Sequence, residues 1–105
     1  MSKQSITQKT REALKERGFV SEKVEKYNAF TKRYNDLFGV WDVLGVGNGE
    51  TIAVQVTSRA HISERIKKIE ESEHIGAVRD AGWILEVHGW DKVKNRYRCK
   101  IVDVS

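Results

Sequence analysis

Residues 37–58 read LFGVWDVLGVGNGETIAVQVTS. Leu37 to Val46 is a strongly apolar run, Gly47-Asn48-Gly49 is a turn signal, and Thr51 to Ser58 alternates between two faces. Successive strand residues point to opposite sides, so Ile52, Val54 and Val56 share one face and Ala53, Gln55 and Thr57 the other. The two segments predict an antiparallel hairpin. Asp42 interrupts the pattern, standing between Trp41 and Val43 where a carboxylate is costly unless something pairs with it. With Gln55 and Thr57 across the hairpin, three polar side chains converge at its mouth. On spacing alone the plainer alternative leads: Asp42 caps a turn or pairs with a lysine, and Gln55 and Thr57 line a solvated face.

Outward from the hairpin, Ser5 to Arg17 predicts a helix. Ile6, Thr10, Ala13 and Arg17 share a stripe flanked by Leu14, and Gly18 stands where a C-terminal cap belongs. Phe19 to Tyr27 predicts an irregular strand or ribbon, and the polar, basic stretch Asn28 to Asn35 a loop. After the hairpin, His61 to Glu73 reads as a helix with Ile62, Ile66 and Ile69 as its buried stripe. Ile75, Val78 and Ala81 continue as a second helical piece before Gly82. Trp83 to Trp90 and Tyr97 to Val104 are two more strands, joined by the basic stretch Asp91 to Arg96. This order predicts an α/β or α+β fold, a sheet with helices packed on it.

With 105 residues there is room for one domain, spanning 1–105, and 39% hydrophobic residues suffice for one core. No apolar run nears the roughly 20 residues of a membrane span, and the first residues lack a signal-peptide apolar region. The single Cys99 cannot close an internal disulfide. A reducing, cytoplasmic setting and no membrane are therefore expected. The net charge of +4 suits a polyanionic partner, since each cation that neutralises a phosphate releases counterions. The same charge is also common among small soluble proteins.

Asp42-Val43-Leu44, a glycine turn, Val54-Gln55-Val56-Thr57-Ser58 and a following basic helix resemble the signature of the PD-(D/E)xK nuclease superfamily. The likeness is to its small phage and archaeal Holliday-junction-resolvase-like and VRR-NUC-like members, and it covers most of the chain. It implies a restriction-endonuclease-like core, a mixed central sheet flanked by helices. It also implies hydrolysis of DNA phosphodiesters, on branched or junction DNA, with Mg²⁺ or Mn²⁺ as cofactor and a homodimer as the assembly. Carried over residue by residue, Asp42 matches the metal-binding aspartate and Gln55 the second ligand position. The backbone carbonyl of Val56 completes the protein's share of the site. Such a set of few oxygen ligands suits Mg²⁺.

Thr57 departs from the pattern, because the family has a lysine there. Either a basic residue has moved onto the following helix, where Lys68 and Arg65 lie on one flank with His61, or the site is inactive. Resolvase-like members also carry a metal-serving glutamate on the first helix, for which Glu12 is the available carboxylate, although Gln8 stands nearer the expected register. Glu25, on the first strand, is a comparable outsider. Asp36 is either a further metal ligand or a partner that fixes the loop through Arg33. Lys32, Arg33, Arg59, Lys92, Lys94 and Arg96 are the natural phosphate partners. Trp90 and Tyr97 read as packing residues before base-stacking ones, His61, His74 and His88 lack zinc-ligand spacing, and no P-loop or dinucleotide fingerprint occurs. The rival to a nuclease is an inactive nucleic-acid-binding module of the same fold, or an interaction protein in which the charge is incidental.

Overall fold

Ser2 opens the first helix of the computed structural model, which describes residues 2–105. Its hydroxyl accepts the Ser5 N–H at 3.1 Å and caps α1 (Lys3–Glu16). The helix ends in a Schellman motif: Phe19 N–H donates to the Leu14 carbonyl and Gly18 N–H to the Lys15 carbonyl, with Gly18 at φ +93°. Ile6, Thr7, Thr10 and Leu14 are buried against the sheet.

Strand β1 (Val20–Lys23) lies antiparallel to β4 (Val43–Gly47), with Lys23 opposite Val43. Between them the chain leaves the sheet as a separate two-stranded ribbon, β2 (Lys26–Asn28) and β3 (Arg33–Asn35). β4 turns into β5 (Glu50–Ser58) through Asn48 and Gly49, both at positive φ as a two-residue hairpin turn requires. A 3₁₀ turn (Arg59–His61), α2 (Ile62–Glu70) and α3 (Ile75–Asp80) then carry the chain to β6 (Ile84–Val93), which runs parallel to β5. β7 (Arg96–Asp103) returns antiparallel through Lys94 and Asn95. The result is an α+β fold with a mixed five-stranded sheet in the order β1-β4-β5-β6-β7. No helix among the described residues is long and apolar enough to cross a membrane.

Strand alternation divides the core. Val43, Ile52, Val54 and Val56 join Ile6 and Leu14 of α1 on one face. Ala53, Leu85 and Val87 meet Ile62, Ile69 and Val78 of α2 and α3 on the other. At Gly89 a side chain would collide with Ile62, so glycine lets α2 approach the sheet closely.

Three sequence expectations change. The irregular strand over Phe19–Tyr27 is split between the sheet and the ribbon, and the expected loop at Asn28–Asn35 contains β3. The strand expected over Leu37–Val46 starts only at Val43. Leu37 bridges to Trp41 across a turn with Phe38 and Gly39 at positive φ, and Val40 and Trp41 are buried in the α2–α3 side of the core. Their apolarity reflects burial in a turn, which an apolar run cannot distinguish from burial in a strand.

Candidate active site

Asp42 is gripped from both sides before β4 begins. Its N–H donates to the Val54 carbonyl and its carbonyl accepts the Val24 N–H, each at 2.9 Å. The β4–β5 register carries it opposite Gln55, on the α2 face of the sheet. The side chain is buried, and its Oδ2 takes three donors: Gln55 Nε2 at 2.7 Å, Val56 N–H at 2.8 Å and Lys3 Nζ at 3.0 Å. Lys3 Nζ also donates to the Val56 carbonyl. Asp42 Oδ1 and Gln55 Oε1 are buried acceptors with no hydrogen-bond partner among the described residues.

Carboxylate oxygens of Glu25, Asp36 and Asp42 lie within 4.8 Å of one another. Glu25 comes from the corner between β1 and β2, and Asp36 from the end of β3. Burial, then the charge of the neighbouring Asp42 carboxylate and a hydrogen bond that protonated Asp36 gives it, push the Asp36 carboxyl up to about 6; Lys68 opposes the push and Glu25 adds to it. Lys68 Nζ reaches Asp36 Oδ2 at 3.6 Å.

The three carboxylates, Asp42 Oδ1 among them without a donor, and the unpartnered Gln55 Oε1 form an all-oxygen set, with the Val56 carbonyl at its edge already accepting from Lys3. That is the ligand chemistry of Mg²⁺, Mn²⁺ or Ca²⁺, and the orphaned lone pairs are what a bound cation would satisfy. The residues present therefore fit a hard divalent ion, with Lys3 and Lys68 as flanking ammonium groups.

Of the residues expected from sequence, Asp42, Gln55, the Val56 carbonyl, Asp36 and Lys68 come together here. Asp36 pairs with Lys68, not with Arg33. Thr57 is buried on the same face of β5 as Gln55 and brings no charge. Arg65 on α2 makes no hydrogen bond or ion pair with the three acids, and His61 pairs with Glu64 at the surface. Glu12 lines a groove between α1 and the start of β1 with Gln8, Arg11 and Lys15, apart from the acids. Trp90 is buried, its Nε1 donating to Thr10 Oγ1, and Tyr97 lies under Lys9 and Lys92.

Lys3 was not singled out by sequence, and Glu25 only as an outsider. The signal for Lys3 was its helical phase: it heads the stripe Lys3, Thr7, Thr10, Leu14 that faces the sheet.

The expected phosphate partners lie on two projections. β1 ends at the Asp42 end of the sheet, so the ribbon with Lys32 and Arg33 projects there. Ser58 pairs with Trp90, so β6 runs past the carboxyl end of β5 into the hairpin that carries Lys92, Lys94 and Arg96. Arg59 stands at its root, where Arg98 and then Arg59 hold Asp91 below the usual carboxylate range. The acids thus occupy the same end of the sheet, between ribbon and hairpin. No family model matches the chain, and neither curated proteins nor solved structures give a match.

Proposed function

We propose that the protein is a divalent-metal-dependent endonuclease of the PD-(D/E)xK type that hydrolyses phosphodiester bonds in DNA. The observation that carries this is the pairing of Asp42, just before β4, with Gln55 on the antiparallel β5, each with an unpartnered buried oxygen, beside Glu25 and Asp36. The order of elements also supports it: a helix, three antiparallel strands in the main sheet, and a helical crossover to a parallel fourth strand.

In this reading Asp42 Oδ1, Asp36, Glu25 and Gln55 Oε1 would hold the ion, and the Val56 carbonyl would join them where Lys3 gives it up. When bound, Mg²⁺ supplies Lewis-acid polarisation of a phosphate oxygen and a water of lowered pKa. Lys3 supplies from α1 the ammonium that Thr57 lacks. It lies against the Asp42 carboxylate and the Val56 carbonyl, close to where phosphate charge would develop. Lys68 balances Asp36. Cations of the ribbon and hairpin hold the DNA backbone without reading its sequence. Paired cuts across a junction need two such sites, so action on junctions entails a homodimer.

The test is cleavage of linear, single-stranded and four-way-junction DNA with Mg²⁺ or Mn²⁺, against EDTA and Asp42→Ala controls. Cutting that disappears with EDTA and with Asp42→Ala is expected. Folded wild-type protein that binds DNA but cuts none would support the second reading, an inactive binding module, which the absence of a charge at Thr57 favours.

A further inference from the structure

Three aromatic rings lie exposed on the β2–β3 ribbon. Phe30 is 100% exposed, Tyr27 57% and Tyr34 53%. Tyr27 and Tyr34 face each other across the two strands with ring centroids 5.2 Å apart. Phe30 stands at the tip, in a turn that Asn28 holds: its Oδ1 accepts the N–H of Phe30 at 2.9 Å and of Thr31 at 3.4 Å. The ring is thus presented to solvent by an ordered turn. Residues 26–35 also carry Lys26, Lys32 and Arg33 and no carboxylate. At the ribbon's base, Lys23 Nζ lies 5.7 Å from the Tyr34 ring centroid.

Water-facing aromatics among cations, with no acid between them, match the surface of nucleic acid better than that of protein. The cations meet phosphates, and each ring offers a face on which any base can stack. Apolar side chains also enter duplexes as wedges, at an unstacking cost that a bulge or mismatch has already met. The ribbon begins next to Glu25 and ends next to Asp36, so whatever it grips lies beside the carboxylates.

We propose that the ribbon is a DNA-distortion reader: Phe30 stacks on an unpaired or unstacked base while Lys26, Lys32 and Arg33 hold the flanking phosphates. This rests on the nucleic-acid reading above and adds the substrate class, DNA with interrupted stacking. Fully paired duplex offers Phe30 no free base face and binds more weakly.

The experiment compares the full chain with Phe30→Ala, Phe30→Trp and Lys32→Ala/Arg33→Ala. Each is titrated by fluorescence anisotropy, in Ca²⁺, against fully paired duplex, the same duplex with a short bulge, and single strand. Wild type should prefer the bulged duplex. Phe30→Ala should weaken bulge binding roughly tenfold or more, the scale of one lost base stack, with little change on paired duplex. Phe30→Trp should restore it, with its added indole fluorescence quenched on binding. Lys32→Ala/Arg33→Ala should weaken all three DNAs and flatten the salt dependence. Phe30→Ala binding every DNA as wild type does would overturn the proposal. So would a loss of self-association in Phe30→Ala by sedimentation velocity with DNA preference intact, which would make the tip a contact between copies. Cleavage separates the two readings: a wild type that cuts while Phe30→Ala is unchanged removes only the ribbon's role. A wild type that prefers bulges through Phe30 but never cuts removes only the nuclease.

Discussion

Asp42 has one carboxylate oxygen with three donors and another with none, both out of contact with water. An interior carboxylate normally gathers donors on both oxygens, so the second one is open to a protonated Asp36 or to a cation. Lys3 is one of the three donors but not the anchor: Gln55 and the Val56 N–H remain if it is removed. Lys3→Met should therefore fold normally, bind DNA within about twofold of wild type, and cut about a hundredfold more slowly, the typical cost of losing one preorganised charge donor. Single-turnover rates beside anisotropy titrations separate those effects, and equal losses in both would make Lys3 merely a phosphate contact. Asp36 gives a complementary test. Its carboxyl is pushed up because burial and Asp42 outweigh the help of Lys68, so its charge costs stability in the cation-free protein. Asp36→Asn should thus raise the melting temperature in EDTA near neutral pH by about 4–8 °C, the scale of 1 kcal/mol in a domain of this size. Mg²⁺ should raise the melting temperature of wild type and have little effect on the variant, whereas a wild type indifferent to Mg²⁺ would remove the cation from the site.

Helix α1 is tied to the sheet by a buried polar chain that runs through its middle. Trp90 Nε1 donates to Thr10 Oγ1 at 2.9 Å, and the Thr10 hydroxyl lies 3.3 Å from His88 Nδ1. His88 Nε2 is 2.9 Å from Glu86 Oε1, and Arg17 grips both Glu86 oxygens. A neutral imidazole with its proton on Nε2 satisfies every link, accepting from Thr10 and donating to Glu86. Burial would push the Glu86 carboxyl up, but hydrogen bonds from His88 and Arg17 win and hold it at about 2. A folded pKa below the unfolded value of 4.5 gives stability that is complete above 4.5 and lost as pH falls towards 2. The amount at stake is about 3 kcal/mol. Urea unfolding from pH 7 down to 3 should show about 2 kcal/mol of this loss in wild type and a much flatter curve in Glu86→Gln, the gap between them narrowing as pH falls; parallel curves would place the acid sensitivity elsewhere. The end of α1 and the β4–β5 turn were legible in the sequence because Gly18 and Asn48-Gly49 encode them locally. The ribbon was not, because both its faces are exposed and no alternation of apolar residues marks its strands.

At the scale of the whole molecule, the candidate site divides in the same way between local and tertiary signals. Asp42 and Gln55 stood out as polar breaks in apolar strands, whereas Glu25 joins them only because the β1–β2 corner folds back, and Lys3 only because α1 starts at the same end of the sheet. The charge pattern follows that polarity. Seven cations, Lys26, Lys32, Arg33, Arg59, Lys92, Lys94 and Arg96, lie on the ribbon, the hairpin and its root, at the end that holds the acids. Lys15 lies near the C-terminus of α1, beside the β4–β5 turn at the other end. If DNA lies across the acid end, its affinity should fall with log salt at a slope of no more than about −6, the limit for seven phosphates at −0.9 each. Lys92→Ala/Lys94→Ala/Arg96→Ala should reduce that slope by up to about 3 and weaken all DNA sequences alike. Lys15→Ala should leave it unchanged. Both outcomes are read from anisotropy titrations across a salt series. A slope that Lys15→Ala lowers as much per charge as the hairpin variant does would mean that the basic charge acts diffusely. The acid end would then have no special claim on the phosphates, and the reading of ribbon and hairpin as the two sides of a DNA cradle would fall.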